Sequence, residues 1–121
     1  MSVFSNISDD QIIHKGQNFF LIYDSFPVSP GHILIISNEE KVDYFSLTKK
    51  EHEELTPLIE IAKRIIEKDN KPDGYNIGMN CGEAAGQTVM HFHCHVIPRY
   101  VGDMENPRGG IRHCVKDKGY Y

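Results

Sequence analysis

An α+β fold is predicted by three features of the sequence: several short β-branched runs, one long stretch with helical apolar spacing, and no regular alternation of the two. They allow about five strands in one sheet, a single long helix between the third and fourth, and a C-terminal tail. A doubly wound parallel sheet would instead need a helix between most successive strands.

Taken in order, residues 11–15 and 19–23 are predicted as strands joined around Gly16, Gln17 and Asn18, which makes a hairpin. Pro27, Pro30 and Gly31 force residues 24–31 into a loop, after which 32–36 is an apolar, β-branched, buried strand that starts at a candidate site histidine, His32. Thr48 with Glu51 three residues later is a capping-box signal, and Leu55, Leu58, Ile59, Ala62, Ile65 and Ile66 recur at helical spacing to about Lys68. Pro57 lies inside this stretch and predicts either a kink or a restart of the helix with Thr56 as its cap. Residues 71–74 form a turn, 75–79 another strand, and 80–86 a loop with two glycines. Gly82 and Gly86 do not make a P-loop, because no lysine and no helix start follow them.

The next run carries the chemistry. From Met90 to Pro98, His91, His93 and His95 alternate with Phe92, Cys94 and Val96. Strand side chains point to opposite faces with period two, so the imidazoles share one face and the apolar residues the other. Pro98 cannot donate to a continuing central ladder and is expected to close the run with Arg99. The remaining histidines, His14, His32, His52 and His113, are scattered.

Two chemistries suit three alternating imidazoles. They can converge on a zinc ion. Alternatively, an imidazole with a pKa of about 6.5 is mostly neutral at pH 7 and can attack phosphorus without a separate base. In that case a second histidine donates to a phosphate oxygen, a third orients or protonates the leaving group, and Gln87 and Thr88 add neutral donors.

The pattern His-apolar-His-apolar-His followed by two apolar residues resembles the motif of the histidine-triad family of nucleotide hydrolases and transferases. The resemblance extends to Pro30, Gly31, His32 and the apolar run to Ile36, and to Asn80 through Gln87, covering roughly residues 4–113. It implies that His93 is the nucleophile, forming a covalent nucleotidyl-histidine on the α-phosphate, with His95 and His32 on the phosphate. His91 organises His93 through its backbone carbonyl and sits near the leaving group. Gln87 and Thr88 bind phosphate oxygens, Asp24 the ribose hydroxyls, and Asn80 a phosphate-side position. The resemblance further implies an antiparallel five-stranded sheet and a homodimer. Many relatives open with a Cys-x-x-Cys pair that contributes to a structural zinc site; Ser2, Val3, Phe4 and Ser5 stand in the corresponding stretch here, which argues against zinc.

Within the family, residues 85–99 and the following Gly102, Asp103, Asn106, Pro107, Arg108, Gly109, Gly110 and Arg112 look most like bacterial and fragile-histidine-triad members that act on diadenosine polyphosphates. The phosphoramidate-hydrolysing branch usually has Gly-Gly-Arg after the triad and a tryptophan near the C-terminus; Ile97, Pro98 and Arg99 stand there instead, and the chain has no tryptophan. Hydrolysis of dinucleoside polyphosphates to a nucleoside monophosphate is therefore the expected activity. Phosphoramidate hydrolysis, nucleotidyl transfer to phosphate and a non-catalytic nucleotide-binding module are the alternatives. No tightly bound cofactor is expected, and magnesium is expected only as company for a polyphosphate. Phe4, Ile7, Phe19 and Tyr23 are candidates for the walls around the base.

Composition agrees. At 121 residues with 40% hydrophobic content the chain is expected to form a single domain, 1–121. Three cysteines without CxxC spacing support neither a disulfide framework nor a zinc ribbon. No apolar run reaches the roughly 20 residues of a membrane span, and residues 1–10 lack the pattern of a signal peptide, so a cytoplasmic location is expected. A net charge of -4 disfavours nucleic acid as a partner. Residues 97–121 are nonetheless basic, with Arg99, Arg108, Arg112, Lys116 and Lys118 against three acidic groups, which suits a polyphosphate near the triad.

Overall fold

The two apolar periodicities in the sequence meet as a sheet with one helix across one of its faces. The computed structural model describes residues 2–121; Met1, the first residue of the stretch read for a leader, lies outside the described residues. The strands are β1 (Ile12–Lys15), β2 (Phe19–Tyr23), β3 (Ile33–Ser37), β4 (Gly74–Gly78) and β5 (His93–Arg99), and the helix α1 is Lys49–Asp69. All pairings are antiparallel, in the order β1-β2-β3-β5-β4. The class is α+β, as the sequence predicts.

The apolar stripe of α1, with Leu55, Leu58, Ala62 and Ile66 buried, packs on Phe19 and Leu21 of β2, Ile33 and Ile35 of β3, and Phe92, Cys94 and Val96 along β5. Burial of each large apolar side chain in such a layer contributes roughly 1.5–3 kcal/mol. The opposite face of the sheet carries a smaller cluster of Ile22, Leu34 and Ile36, covered in part by Phe4, Ile7, Ile12 and Phe20. This second face is left open enough to hold a site.

Thr48 and Glu51 form the predicted capping box, with Glu51 Oε1 accepting from the Thr48 amide at 2.7 Å and Thr48 Oγ1 from the Glu51 amide at 3.2 Å. Pro57 neither splits α1 nor restarts it: the helix is one element of 21 residues. Pro57 and Glu53, whose carbonyl loses its partner there, are both solvent-exposed, so water satisfies the freed group. With Arg99, Pro98 closes β5 as the sequence predicts. Its carbonyl accepts from Ser29 Oγ at 2.5 Å, on the side away from β4, so the missing N–H falls where β3 has already ended and the pairing with Tyr75 survives.

One tertiary tie had no sequence signal. Glu54 of α1 accepts from the amides of Gln17 at 2.8 Å and Asn18 at 3.0 Å, clamping the β1–β2 turn to the helix. A Cβ at Gly16 would come within 2.5 Å of the Glu54 carboxylate, so a larger residue there would displace the clamp. No helix among the described residues is long and apolar enough to cross a membrane.

Residues 29–32 form a turn in which the His32 amide bonds the Ser29 carbonyl at 3.2 Å, with Pro30 and Gly31 as its central residues. Gly31 has φ +92°, the left-handed value that the third position of a type II turn needs, and a Cβ there would also press on Asn70 and Ile66. Gly31→Ala should therefore cost about 1–2 kcal/mol, read as a lowered urea midpoint with an unchanged m-value. An unaltered midpoint would show that the turn relaxes freely.

Candidate functional site

The triad begins one step before its strand. Ladder bonding in β5 starts at His93, because β3 stops at Ser37 and the Phe92 amide turns to the Lys41 carbonyl at 2.6 Å. Alternation persists through this bend. Phe92, Cys94 and Val96 enter the helix-side core, while His91 and His93 pack against Phe4 on the other face, with ring centroids 5.6 and 5.0 Å from it.

His91 is buried, and its Nε2 lies 2.7 Å from the Ser37 carbonyl. A carbonyl only accepts, so Nε2 carries the proton, and Nδ1 accepts from the Ser2 hydroxyl at 2.5 Å. The same logic applies to His93, whose Nδ1 lies 2.9 Å from the backbone carbonyl of His91 and must donate to it. In the neutral ring this leaves the Nε2 lone pair of His93 unprotonated and unengaged.

A second chain of bonds fixes His95. The Val28 amide donates to His32 Nδ1 at 3.1 Å, which puts the His32 proton on Nε2. His32 Nε2 donates in turn to His95 Nδ1 at 2.9 Å, so His95 keeps its proton on Nε2. The site thus presents an imidazole lone pair on His93 beside an imidazole N–H on His95. Burial, reinforced by the neighbouring His93 and His32, pushes the His95 pKa down to about 4 against the partial opposition of Asp24. Burial also lowers His32, again opposed by Asp24. Both rings are neutral at pH 7, as the relay requires, since a proton on His95 Nδ1 would face the His32 N–H. Burial pushes the Cys94 thiol up to about 12, so this cysteine is an inert core residue and no rival nucleophile.

Asp24 is held by its own loop, Oδ1 accepting from the Phe26 amide at 2.9 Å, and its Oδ2 lies 3.5 Å from His32 Nε2. Asp24, His32 and His95 offer ligand atoms within 4.8 Å of one another, a cluster that could hold a metal ion. This is a different set from the three triad imidazoles that the sequence suggested for zinc. A metal-binding histidine usually donates its other ring N–H to an acceptor. His32 Nδ1 instead faces an amide donor, which suits a proton relay better than a metal ligand.

The two rings open into a cleft of about 550 Å³, lined by Phe4, Ile7, Ile22, Leu34, Asp24, Thr88, His93 and His95 among others. Of the residues singled out from the sequence, His93, His95, Asp24 and Thr88 meet here. His32 lies directly beneath His95, and His91 beneath His93. Gln87 is buried with its amide engaged: Nε2 donates to the carbonyls of Val42 at 2.6 Å and Val89 at 3.2 Å, and Oε1 accepts from Gly82 at 2.8 Å. Asn80 lines a separate cleft on the far side of His95.

Phe4 and Ile7 line the triad cleft, but Phe19 and Tyr23 do not. Phe19 is part of the helix-side core, because odd positions of β2 face α1 and even ones, such as Ile22, face the cleft. Ile22 and Leu34 were legible only through that parity. The basic tail also falls elsewhere. Arg99 is committed to Asp103, 2.7 Å away, and the guanidinium groups of Arg108 and Arg112 sit 4.8 and 4.9 Å from the Tyr121 ring.

The chain belongs to the HIT family, whose domain pattern matches residues 6–102. It is related to the bacterial and fungal branch of diadenosine-polyphosphate hydrolase-like proteins. It is 31% identical over 100 residues to a protein of Mycobacterium tuberculosis named AP-4-A phosphorylase, a match covering 80% of this chain and 51% of that one. It is 33% identical over 100 residues to a Bis(5'-adenosyl)-triphosphatase of Saccharomyces cerevisiae, covering 78% of this chain and 48% of that one. The chain thus spans about half the length of these two relatives. A crystal structure of a HIT family protein from Bacillus anthracis superposes with a TM-score of 0.75 at 33% identity, covering 84% of this chain and 74% of that one.

The lowered pKa of His95 has a consequence for stability. The unfolded chain takes up a proton at this imidazole near pH 6.5, while the folded chain does so only near 4. Stability should therefore fall on acidification across that window and level off below it, so far as His95 contributes. Thermal melts of the native protein and of His95→Gln should show a shallower slope for the variant; parallel slopes would contradict the buried, neutral ring.

Proposed function

We propose that this protein is a nucleotide hydrolase that cleaves dinucleoside polyphosphates at the α-phosphate, with His93 as nucleophile. The observation that carries the reading is the free Nε2 lone pair of His93 beside the Nε2–H of His95, each set by the partner of the other ring nitrogen. Phosphoryl and nucleotidyl transfer depend chiefly on positioning and charge stabilisation, which this arrangement supplies.

In the first step the His93 Nε2 lone pair forms a bond to the α-phosphorus, and the bond from phosphorus to the distal phosphate oxygen breaks. The leaving phosphate departs with the electron pair. The ring becomes an N-linked imidazolium whose Nδ1–H stays on the His91 carbonyl, while His95 Nε2–H donates to a phosphoryl oxygen. In the second step water attacks phosphorus, the P–N bond breaks, neutral His93 is restored, and a nucleoside monophosphate and a proton leave. Asp24 would bind the ribose hydroxyls and Thr88 a phosphate oxygen, roles supported by their positions on the cleft wall. Gln87 acts by holding the 82–89 loop, because its amide is already engaged. Asn80 takes a phosphate-side role only in so far as the substrate reaches beyond His95.

Inorganic phosphate in place of water would convert the same intermediate to a nucleoside diphosphate, the reading favoured by the mycobacterial relative named as a phosphorylase. Magnesium would arrive with the polyphosphate. The reading includes a cytoplasmic homodimer without nucleic acid; the outer edge of β4, unpaired among the described residues, supports the dimer.

His93→Ala should lose on the order of 10³-fold or more in kcat while retaining nucleotide affinity by calorimetry. Turnover within tenfold of the native rate would overturn the assignment. Initial rates on diadenosine polyphosphates, adenosine phosphoramidate and adenylyl sulfate, with and without phosphate, identify the branch; fastest turnover of the phosphoramidate would displace the dinucleotide reading.

A further inference from the structure

A second cleft lies on the same face of the sheet, beyond His95. Its volume is about 720 Å³ against about 550 Å³ for the triad cleft, and His95 is a wall of both. Strand geometry sets the two side by side along β5, with His95 between them. Ile97, two residues past His95, lies on the same face roughly 7 Å along β5. Gly78, the cross-strand partner of His95, has no side chain to close the passage, and a Cβ built there would meet nothing within 4 Å. The C-terminal turn Gly110–Cys114 contributes Ile111, with Val115 next to it, and Asn80 stands at the edge of the 80–86 loop.

The lining decides the chemistry of the occupant. It contains no carboxylate, ammonium or guanidinium group and is chiefly apolar, with Asn76 and Asn80 as the amides. Asn76 Oδ1 is already taken by Arg99 at 2.6 Å, whereas the Asn80 side chain makes no hydrogen bond among the described residues. Away from its His95 and Asn80 edge, such a space disfavours a phosphate group and suits a flat, largely apolar ring with a hydrogen-bonding edge. The one polar wall shared with the triad cleft is the ring whose N–H the phosphate would use. A ligand with two ring systems joined by phosphates would therefore fill both clefts across His95.

We propose that this second cleft is the subsite for the leaving nucleoside of a dinucleoside polyphosphate, a proposal that rests on His93 being the nucleophile at the first. It also gives the C-terminal turn a role through Ile111 and Val115 rather than through its basic residues.

Ile111 and Val115 are 61% and 57% exposed, so both accept substitution without loss of the core. Ile111→Asp and Val115→Trp should each lower kcat/KM for diadenosine tetraphosphate about tenfold relative to kcat/KM for adenosine phosphoramidate, which has one nucleoside. An unchanged ratio overturns the subsite while leaving the nucleophile intact. Calorimetry on His93→Ala tests the subsite independently of turnover: diadenosine tetraphosphate should bind at least tenfold tighter than AMP, and Val115→Trp should erase the difference. Equal affinity for the two ligands overturns the proposal, including the case in which the cleft instead seats a second copy of the chain.

Discussion

The hydrogen bond from His93 Nδ1 to the backbone carbonyl of His91 is the constraint on which the site depends. A neutral imidazole can carry its proton on either nitrogen, and only one tautomer offers a lone pair at Nε2. The carbonyl is available because residue 91 lies outside the ladder: β5 begins pairing two residues later. Had the strand started at His91, that carbonyl would have faced a neighbouring strand. The bend that looks like a frayed strand end is therefore what supplies the acceptor. His91 itself is held rigid by Ser37 and Ser2, which removes the freedom of the group that orients its neighbour.

The other half of the site is a relay of complementary parity. An amide donor at one end, Val28, dictates the proton position on His32 and then on His95. Backbone groups thus fix the protons on both working rings, and no carboxylate is needed to choose the tautomers. The same backbone was shaped by a Pro-Gly turn at 30–31 that delivers His32 to the start of β3. Burial lowers the pKa of His95 and His32, so the relay that presents the His95 N–H beside the His93 lone pair is kept at neutral pH. Fold and chemistry meet in the face of the sheet that α1 leaves uncovered.

Much of this is legible in the sequence. The helix was readable because its cap and its stripe are local patterns, and the triad because period two is intrinsic to a strand. The HxHxH alternation even survived the bend at His91. Less legible were features that depend on distant backbone: the Glu54 clamp on the hairpin, the Val28 amide on His32, and the Asp24–His32–His95 cluster. Pro57 does not restart α1, because Glu53, whose carbonyl it releases, is solvent-exposed, whereas Pro98 closes β5 with Arg99 as its missing N–H leads one to expect. Phe19 was misplaced because one-residue parity in a hairpin decides between core and cleft, and sequence sets no absolute phase. The tie that Gln87 makes to the loop through three hydrogen bonds has no signal in the sequence either.

The tautomer of His93 is the most direct test. Long-range nitrogen–proton correlation spectra of ¹⁵N-histidine-labelled protein at pH 7 report which ring nitrogen bears the proton, independently of any substrate. The account predicts a pyrrole-type, protonated Nδ1 and a pyridine-type, unprotonated Nε2 for His93. A protonated Nε2, or a fully charged ring, would contradict it.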